Sequence, residues 1–231
     1  RLRTSKTLPT TSSAIQGEFL QLFEELCPKV DGIVVVAISG SVGAAYSTAL
    51  AARDMVSGAP IEVIDTRTAL MAQGFCVLAG AKVAAAGGSM EEVCAAVTAA
   101  IGKVNVFWMM DTLDYLRRGG RISLPQAVLA GWLQVKPVMT FADGVVTPLA
   151  RTRTRPKAMA KLVDLAGEAV KGTGPLHLAI MHAGVPMEAK QLEEMVKARF
   201  PEHVELITAE VTPVIGTHTG PGTLALACYE E

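Results

Sequence analysis

Ile33-Val34-Val35-Val36-Ala37-Ile38, followed by Ser39-Gly40-Ser41-Val42-Gly43 and then by the helical pattern Ala44 to Val56, reads as a strand, a loop and a helix in succession. A run of β-branched and small apolar residues with no polar alternation is the signature of a strand buried on both faces. The Ser/Gly loop supplies the turn. The order then repeats: Ile61 to Ile64 is a strand, Ala69 to Ala86 a long Ala-rich helix, and Ser89 with Glu92 a capping box for a helix ending near Ile101, before the strand Val104 to Trp108. Strands that alternate with helices and are apolar on both faces predict a parallel sheet covered on both sides. The first half is therefore expected to be an α/β, Rossmann-like domain spanning residues 1–110.

Beyond Trp108 the pattern changes. A short helix Leu113 to Arg118 stops at Gly119-Gly120, and a second short helical piece covers Pro125 to Leu133. Val135 to Phe141 and Val145 to Leu149 are strands joined at Asp143-Gly144, a hairpin signal that predicts an antiparallel pair. Pro156 opens a helix to Val170, and Leu176 to Met181, Met187 to Phe200 and Val204 to Val211 follow as strand, helix and strand. Residues 111–231 are thus expected to form an α+β domain with a mixed or antiparallel sheet, the last strand being open to return to the first domain.

Composition narrows the function. Half of the 231 residues are hydrophobic, mean hydropathy is +0.36 and only 19% are charged, a surplus of apolar side chains that needs an interior. The longest small-apolar run, Val77 to Ala86, is broken by Lys82 and falls short of the roughly 18 residues of a membrane span. The polar segment Arg1 to Ser13 does not read as a signal peptide, so a cytoplasmic protein is expected. A net charge of −1 and a pI near 6.5 argue against a nucleic-acid partner. Cys27, Cys76, Cys94 and Cys228 are widely spaced without a C-x-x-C pair and read as buried thiols, not as metal ligands or disulfides.

Four segments, in order, resemble the DegV family: Pro9-Thr10-Thr11-Ser12, Asp111-Thr112-Leu113-Asp114-Tyr115-Leu116-Arg117-Arg118-Gly119-Gly120-Arg121-Ile122-Ser123, Lys136-Pro137 through Asp143-Gly144, and Ile215-Gly216-Thr217-His218-Thr219-Gly220-Pro221-Gly222. The resemblance implies a non-enzymatic carrier that holds one long-chain fatty acid in a buried tunnel between two domains. It further implies that a separate ATP-dependent kinase phosphorylates the carboxylate while the carrier shields the tail, with transient contact to a membrane surface and no cofactor beyond the bound lipid. Chains of this family begin with roughly fifty residues ahead of the Pro-Thr-Thr-Ser segment, including an edge strand whose loss would leave a sheet edge unpaired.

A fatty acid demands a dry lining and a few converging donors. Burying about 14 methylenes at about 0.8 kcal/mol each is on the order of 11 kcal/mol gross, before ordering and association are subtracted. A carboxylate buried without hydrogen bonds would lose more than the tail gains. Thr11 and Ser12 precede the amphipathic helix Glu18 to Leu26, with Ser13 and Gln16 as a capping box, so their hydroxyls suit either a helix cap or an anion at the helix end. The resemblance assigns Thr11 to the ligand. The loop Ser39 to Gly43 lies at the carboxyl end of the first strand, where α/β folds place ligands. In the family the later Ser of this loop reaches the carboxylate; here Gly43 stands there, followed by Ala44-Ala45, and Ser39, Ser41 or the Gly43 N–H are the substitutes. His218, beside Thr217 in a Gly-rich turn, is either a carboxylate donor or a histidine bonded to its own loop. Arg121 resembles the arginine at the pocket mouth, with an exposed charge near a helix end as its plain alternative.

Two other classes compete. A hydrolase or transferase would use Ser39 or Ser41 as nucleophile, His218 as base and Asp65 as orienting acid. An interaction module would use Arg151, Arg153, Arg155 and Lys157 to dock a partner or an acidic lipid surface, although such a run is most often a solvated edge. No phosphate loop or dinucleotide fingerprint is present in the sequence.

Overall fold

The computed structural model describes residues 2, 7–122, 131–132 and 134–231. The helical piece expected over Pro125 to Leu133 falls largely outside the described residues, as does Ser123 of the second motif. The chain divides into two compact units, one of residues 12–104 with 143–145, the other of residues 1–11, 105–142 and 146–231.

In the first unit β1 (Ile33–Ala37) and β2 (Ile61–Asp65) pair in parallel, Ile33 opposite Ile61 and Ala37 opposite Asp65. Alternation along the strands sends Ile33, Val35, Ile61 and Val63 to the face packed by α1 (Gln16–Leu26) and α2 (Ala45–Arg53), around Phe23, Ala49 and Ala52. Val34 and Val36 face the other way and, with Val77, Ala81, Val93 and Val97, line an open groove of about 910 Å³ beside α3 (Leu70–Ala85) and α4 (Met90–Ile101). Close packing of α3 on α4 depends on Gly80, whose missing Cβ would lie 2.6 Å from Val97 Cγ2. The α4 capping box is as expected: Ser89 N–H donates to Glu92 Oε2 at 2.7 Å and Glu92 N–H to Ser89 Oγ at 3.3 Å.

The α1 start differs from the sequence reading. The helix begins at Gln16, and the Ile15 N–H donates to Glu18 Oε2 at 3.1 Å, so Ser13 and Gln16 do not form its capping box. Glu at the third helical position competes better for that N–H because its negative charge also suits the positive helix end.

The second unit holds β3 (Asn105–Met109), β4 (Lys136–Ala142), β5 (Val145–Thr152), β6 (Leu176–His182), β7 (Glu205–Glu210) and β8 (Leu224–Glu230) in one sheet ordered β5-β4-β3-β8-β6-β7. There β6 and β7 pair in parallel, β3 runs antiparallel to both β4 and β8, and β6 antiparallel to β8. On one face α6 (Arg155–Ala169) and α7 (Pro186–Arg199) set Leu162, Ala166, Leu192 and Val196 against Phe107, Met109, Ile180, Leu224 and Leu226. Asp143 and Gly144 take φ of 51° and 82°, the paired positive values that an Asp-Gly hairpin turn needs.

Two sequence expectations are corrected. The strand beginning near Val104 belongs to the second sheet, not the first, so the break falls ahead of Asn105. The last strand does not return to the first domain; β8 lies at the centre of the six-stranded sheet. A strand buried on both faces is continuously apolar whether its neighbours are parallel or antiparallel, so the pattern of Val106 to Met109 carried no information on which sheet it joins. The fold class stands: an α/β unit with a parallel sheet, and an α+β unit with a mixed one.

Candidate functional site

Two of the sequence motifs pack against each other in the second unit. One runs from Asp111 through the short helix α5 (Asp114–Arg118) to Arg121; the other is α8 (Pro213–Thr219) with the turn that follows. Asp111, Tyr115 and Gly119 meet in turn Gly222, Gly220 and His218. A Cβ on Gly222 would lie 2.8 Å from Asp111 Oδ2, one on Gly220 would overlap the Tyr115 ring, and one on Gly119 would lie 2.5 Å from His218 Nδ1. Gly220 and Gly222 also have φ of 82° and 89°, a region that side chains avoid. Gly119, Gly220 and Gly222 are therefore explained by close approach of one segment to the other.

His218 ends up in the last turn of α8, not in a loop, and its Nε2 is 2.7 Å from Thr11 Oγ1, a residue 207 positions earlier. Thr11 caps no helix. Nδ1 is buried and has no hydrogen-bond partner among the described residues. Leaving a bare lone pair there costs less than burying an unpaired N–H, which assigns the proton to Nε2. In that tautomer Nε2–H donates to Thr11, and the Thr11 hydroxyl proton is left to donate elsewhere. Burial, followed by the positive charge of Arg121, holds the His218 pKa below its ordinary 6.5 and so favours the neutral ring.

The neighbouring candidates are less available. Thr217 Oγ1 donates to the Pro213 carbonyl at 2.8 Å, and Arg121 Nη1 donates to the Gly119 carbonyl at 2.6 Å. Arg117 and Arg118 pair with Asp114 at 2.9 and 3.5 Å, the surface role expected beside a helix end.

In the first unit the loop after β1 is closed by its own bonds. Ser39, 1% exposed, donates through Oγ to the Gly144 carbonyl at 2.7 Å, and Ser41 Oγ donates to the same carbonyl. The Gly43 N–H donates to the Ser39 carbonyl at 3.2 Å and the Gly40 N–H to Asp65 Oδ2 at 3.2 Å. Of the substitutes for the family's hydroxyl, Ser39 and Ser41 thus spend their protons holding the loop to Gly144, and Gly43 spends its own within the loop. Ser12 is exposed. Asp65 is occupied as well, its Oδ1 accepting the Arg67 N–H at 2.8 Å.

Sequence reasoning missed the polar network beneath the second motif. Arg155 reads in the sequence as one of a basic edge with Arg151, Arg153 and Lys157, yet its side chain is only 19% exposed and bonds Asp111, Glu188 and the Gly222 carbonyl. The group is not one patch. Arg151 lies over the Trp132 ring at 4.5 Å, and Arg153 and Lys157 are exposed.

Among the described residues no group of three or more His, Cys, Asp and Glu could hold a metal ion, and no helix is long and apolar enough to cross a membrane.

A family model described as an uncharacterised protein of the DegV family matches residues 1–231. A DegV domain-containing protein of Streptomyces coelicolor is 37% identical over 224 residues, 96% of this chain and 79% of that one. A solved structure from Thermus thermophilus, described by the fatty acid binding of a DegV family protein, superposes with a TM-score of 0.93 at 28% identity, covering 100% of this chain and 82% of the other. DegV of Bacillus subtilis, described as a fatty acid binding protein, superposes with a TM-score of 0.87 at 33% identity over 96% of this chain and 79% of its own. With its whole length matched by the family model and a relative above a third identical, the chain belongs to the DegV family.

Proposed function

We propose that this protein is a cytoplasmic fatty-acid carrier without catalytic activity of its own. It holds one long-chain fatty acid in a buried tunnel and presents the carboxylate to a separate ATP-dependent kinase, touching a membrane surface transiently to load. The observation that carries this reading is the Thr11–His218 pair, in which Nε2 lies 2.7 Å from Thr11 Oγ1 and, in the tautomer assigned above, the threonine proton meets no acceptor among the described residues. A hydroxyl oriented in that way, with the cation of Arg121 close to the imidazole, suits an anionic head group. The fatty acids bound by the Thermus thermophilus and Bacillus subtilis relatives support the ligand class.

The hydrolase alternative draws little support. A serine nucleophile needs a base in hydrogen-bond reach, whereas Ser39 and Ser41 both donate to the Gly144 carbonyl, and His218 Nε2 is engaged by Thr11. Delipidated protein offered both oleate and a p-nitrophenyl acyl ester separates the readings. Stoichiometric oleate uptake without ester turnover is expected. Catalytic ester turnover lost in Ser39→Ala or Ser41→Ala would replace the carrier reading with the hydrolase. For presentation to a kinase, ATP and hydroxylamine with the loaded carrier and a candidate kinase should yield the acyl hydroxamate, and none should form without the carrier.

A further inference from the structure

We propose that Arg155 is the positioning residue of the Thr11–His218 pair, acting through the turn that follows α8; this rests on the fatty-acid reading of that pair. Its guanidinium sits at the crossing of the two motifs. Nη1 donates to Asp111 Oδ1 at 2.9 Å, Nε to Glu188 Oε2 at 2.7 Å, and Nη2 to both Glu188 and the Gly222 carbonyl, the last at 2.7 Å. Lys136 Nζ donates to the same Asp111 oxygen at 2.8 Å, so two carboxylates and two cations balance.

From Gly222 a set of bonds leads back to the last turn of α8, which carries His218. The Gly222 N–H donates to the Ala183 carbonyl and the Ala183 N–H to the Thr223 carbonyl, both at 2.9 Å. The Thr223 hydroxyl bonds the carbonyls of Thr219 and Gly220 at 3.0 and 2.9 Å, and the Gly220 N–H returns to Gly216 at 2.8 Å. Gly220 and Gly222, which permit the turn, would by themselves also permit many others. Arg155 selects one. A half-buried ion network contributes little net stability because desolvation offsets attraction, while a forked guanidinium with its partners fixed adds geometric definition. In this arrangement that definition falls on the residue after His218 and on the backbone that holds its ring against Gly119.

The test is Arg155→Met, which keeps the stem and removes the fork, compared with Arg155→Lys. Two quantities are read in each: oleate affinity, and the titration of the His218 imidazole by NMR, assigned by its loss in His218→Phe. The proposal expects oleate affinity to fall by about tenfold and the His218 titration to move up toward that of a solvated histidine in Arg155→Met, with Arg155→Lys between it and wild type. A lower melting temperature with wild-type affinity and an unmoved His218 titration would reduce Arg155 to a structural residue and overturn the proposal. Should Arg155→Met not fold, Glu188→Gln, which weakens the same guanidinium anchor, is judged by the same two readings. Failure of wild-type protein to take up oleate would reject the fatty-acid reading instead, and the His218 titration would still decide whether Arg155 positions the ring.

Discussion

The imidazole of His218 occupies the space that a side chain on Gly119 would need, 2.5 Å from Nδ1 to the position of a Cβ, with the Tyr115 carbonyl at 3.0 Å closing the other side. Gly119→Ala is therefore expected to push the ring away from Thr11. Overpacking of this kind costs about 1–3 kcal/mol, measurable by urea denaturation, and fatty-acid affinity should fall with it. Gly120→Ala is the control: φ there is +70° and nothing lies within 4 Å, so the cost is about 1 kcal/mol of backbone strain and binding should hold. Equal binding losses in both variants would show that ring displacement is not the cause.

Thr11 and His218 should fail together. Thr11→Val and His218→Phe are each expected to weaken fatty-acid binding by about 1–3 kcal/mol, the cost of an unpaired buried polar group. Their combination should cost less than the sum, because the two share one hydrogen bond. Additive losses in titration calorimetry would mean that each meets the ligand independently, and wild-type binding in both would remove the pair from the site.

Acid should destabilise the empty protein through His218. Its folded pKa lies below the ordinary 6.5, so its contribution to stability is whole above that unfolded value and is lost as pH falls through the folded one. The melting temperature is expected to decline as the solution is taken below pH 6.5, and to decline less in His218→Phe. A bound carboxylate should raise the His218 pKa, so adding oleate is expected to shift the imidazole titration upward. A downward or absent shift would separate the ring from the head group.

Gly43 has room for a side chain: its φ is not in the left-handed region, and a Cβ would meet only Ile38 Cγ2 at 3.5 Å. Gly43→Ser is expected to leave the melting temperature of the empty protein unchanged. Oleate titration of the same variant then reports on the loop, since a charge-assisted bond from the new hydroxyl would be worth about 1.5–3 kcal/mol of affinity. A drop in melting temperature would contradict the geometry given for Gly43.

Much of the first unit was legible because its signals are local. The apolar run at Ile33, the Ser89–Glu92 capping box and the Asp143-Gly144 turn each involve residues a few positions apart; the box and the turn formed as read, and the run formed its strand, half-buried over Ile33 to Val36 and not buried on both faces. The site was legible in part. Thr11 and His218 were singled out through their motifs, but that they bond to each other across 207 positions is a tertiary fact. The glycines of the two motifs looked like turn formers, and only the fold shows that Gly119 is there for the His218 ring. Arg155 was hidden by its neighbours, since a charge in a basic run gives no local sign of which member is turned inward. Ser39 and Ser41 looked like free donors because their acceptor, the Gly144 carbonyl, is a backbone atom with no side-chain signature.

The central claim is that this chain carries one fatty acid through the Thr11–His218 pair. Native mass spectrometry of protein purified from a bacterial host, followed by denaturation and identification of the released lipid, tests it most directly. Wild type is expected to carry close to one long-chain fatty acid per chain, and the Thr11→Val, His218→Phe double variant to be largely empty while still folded. Wild-type protein that is empty as purified and takes up neither oleate nor palmitate would contradict the account.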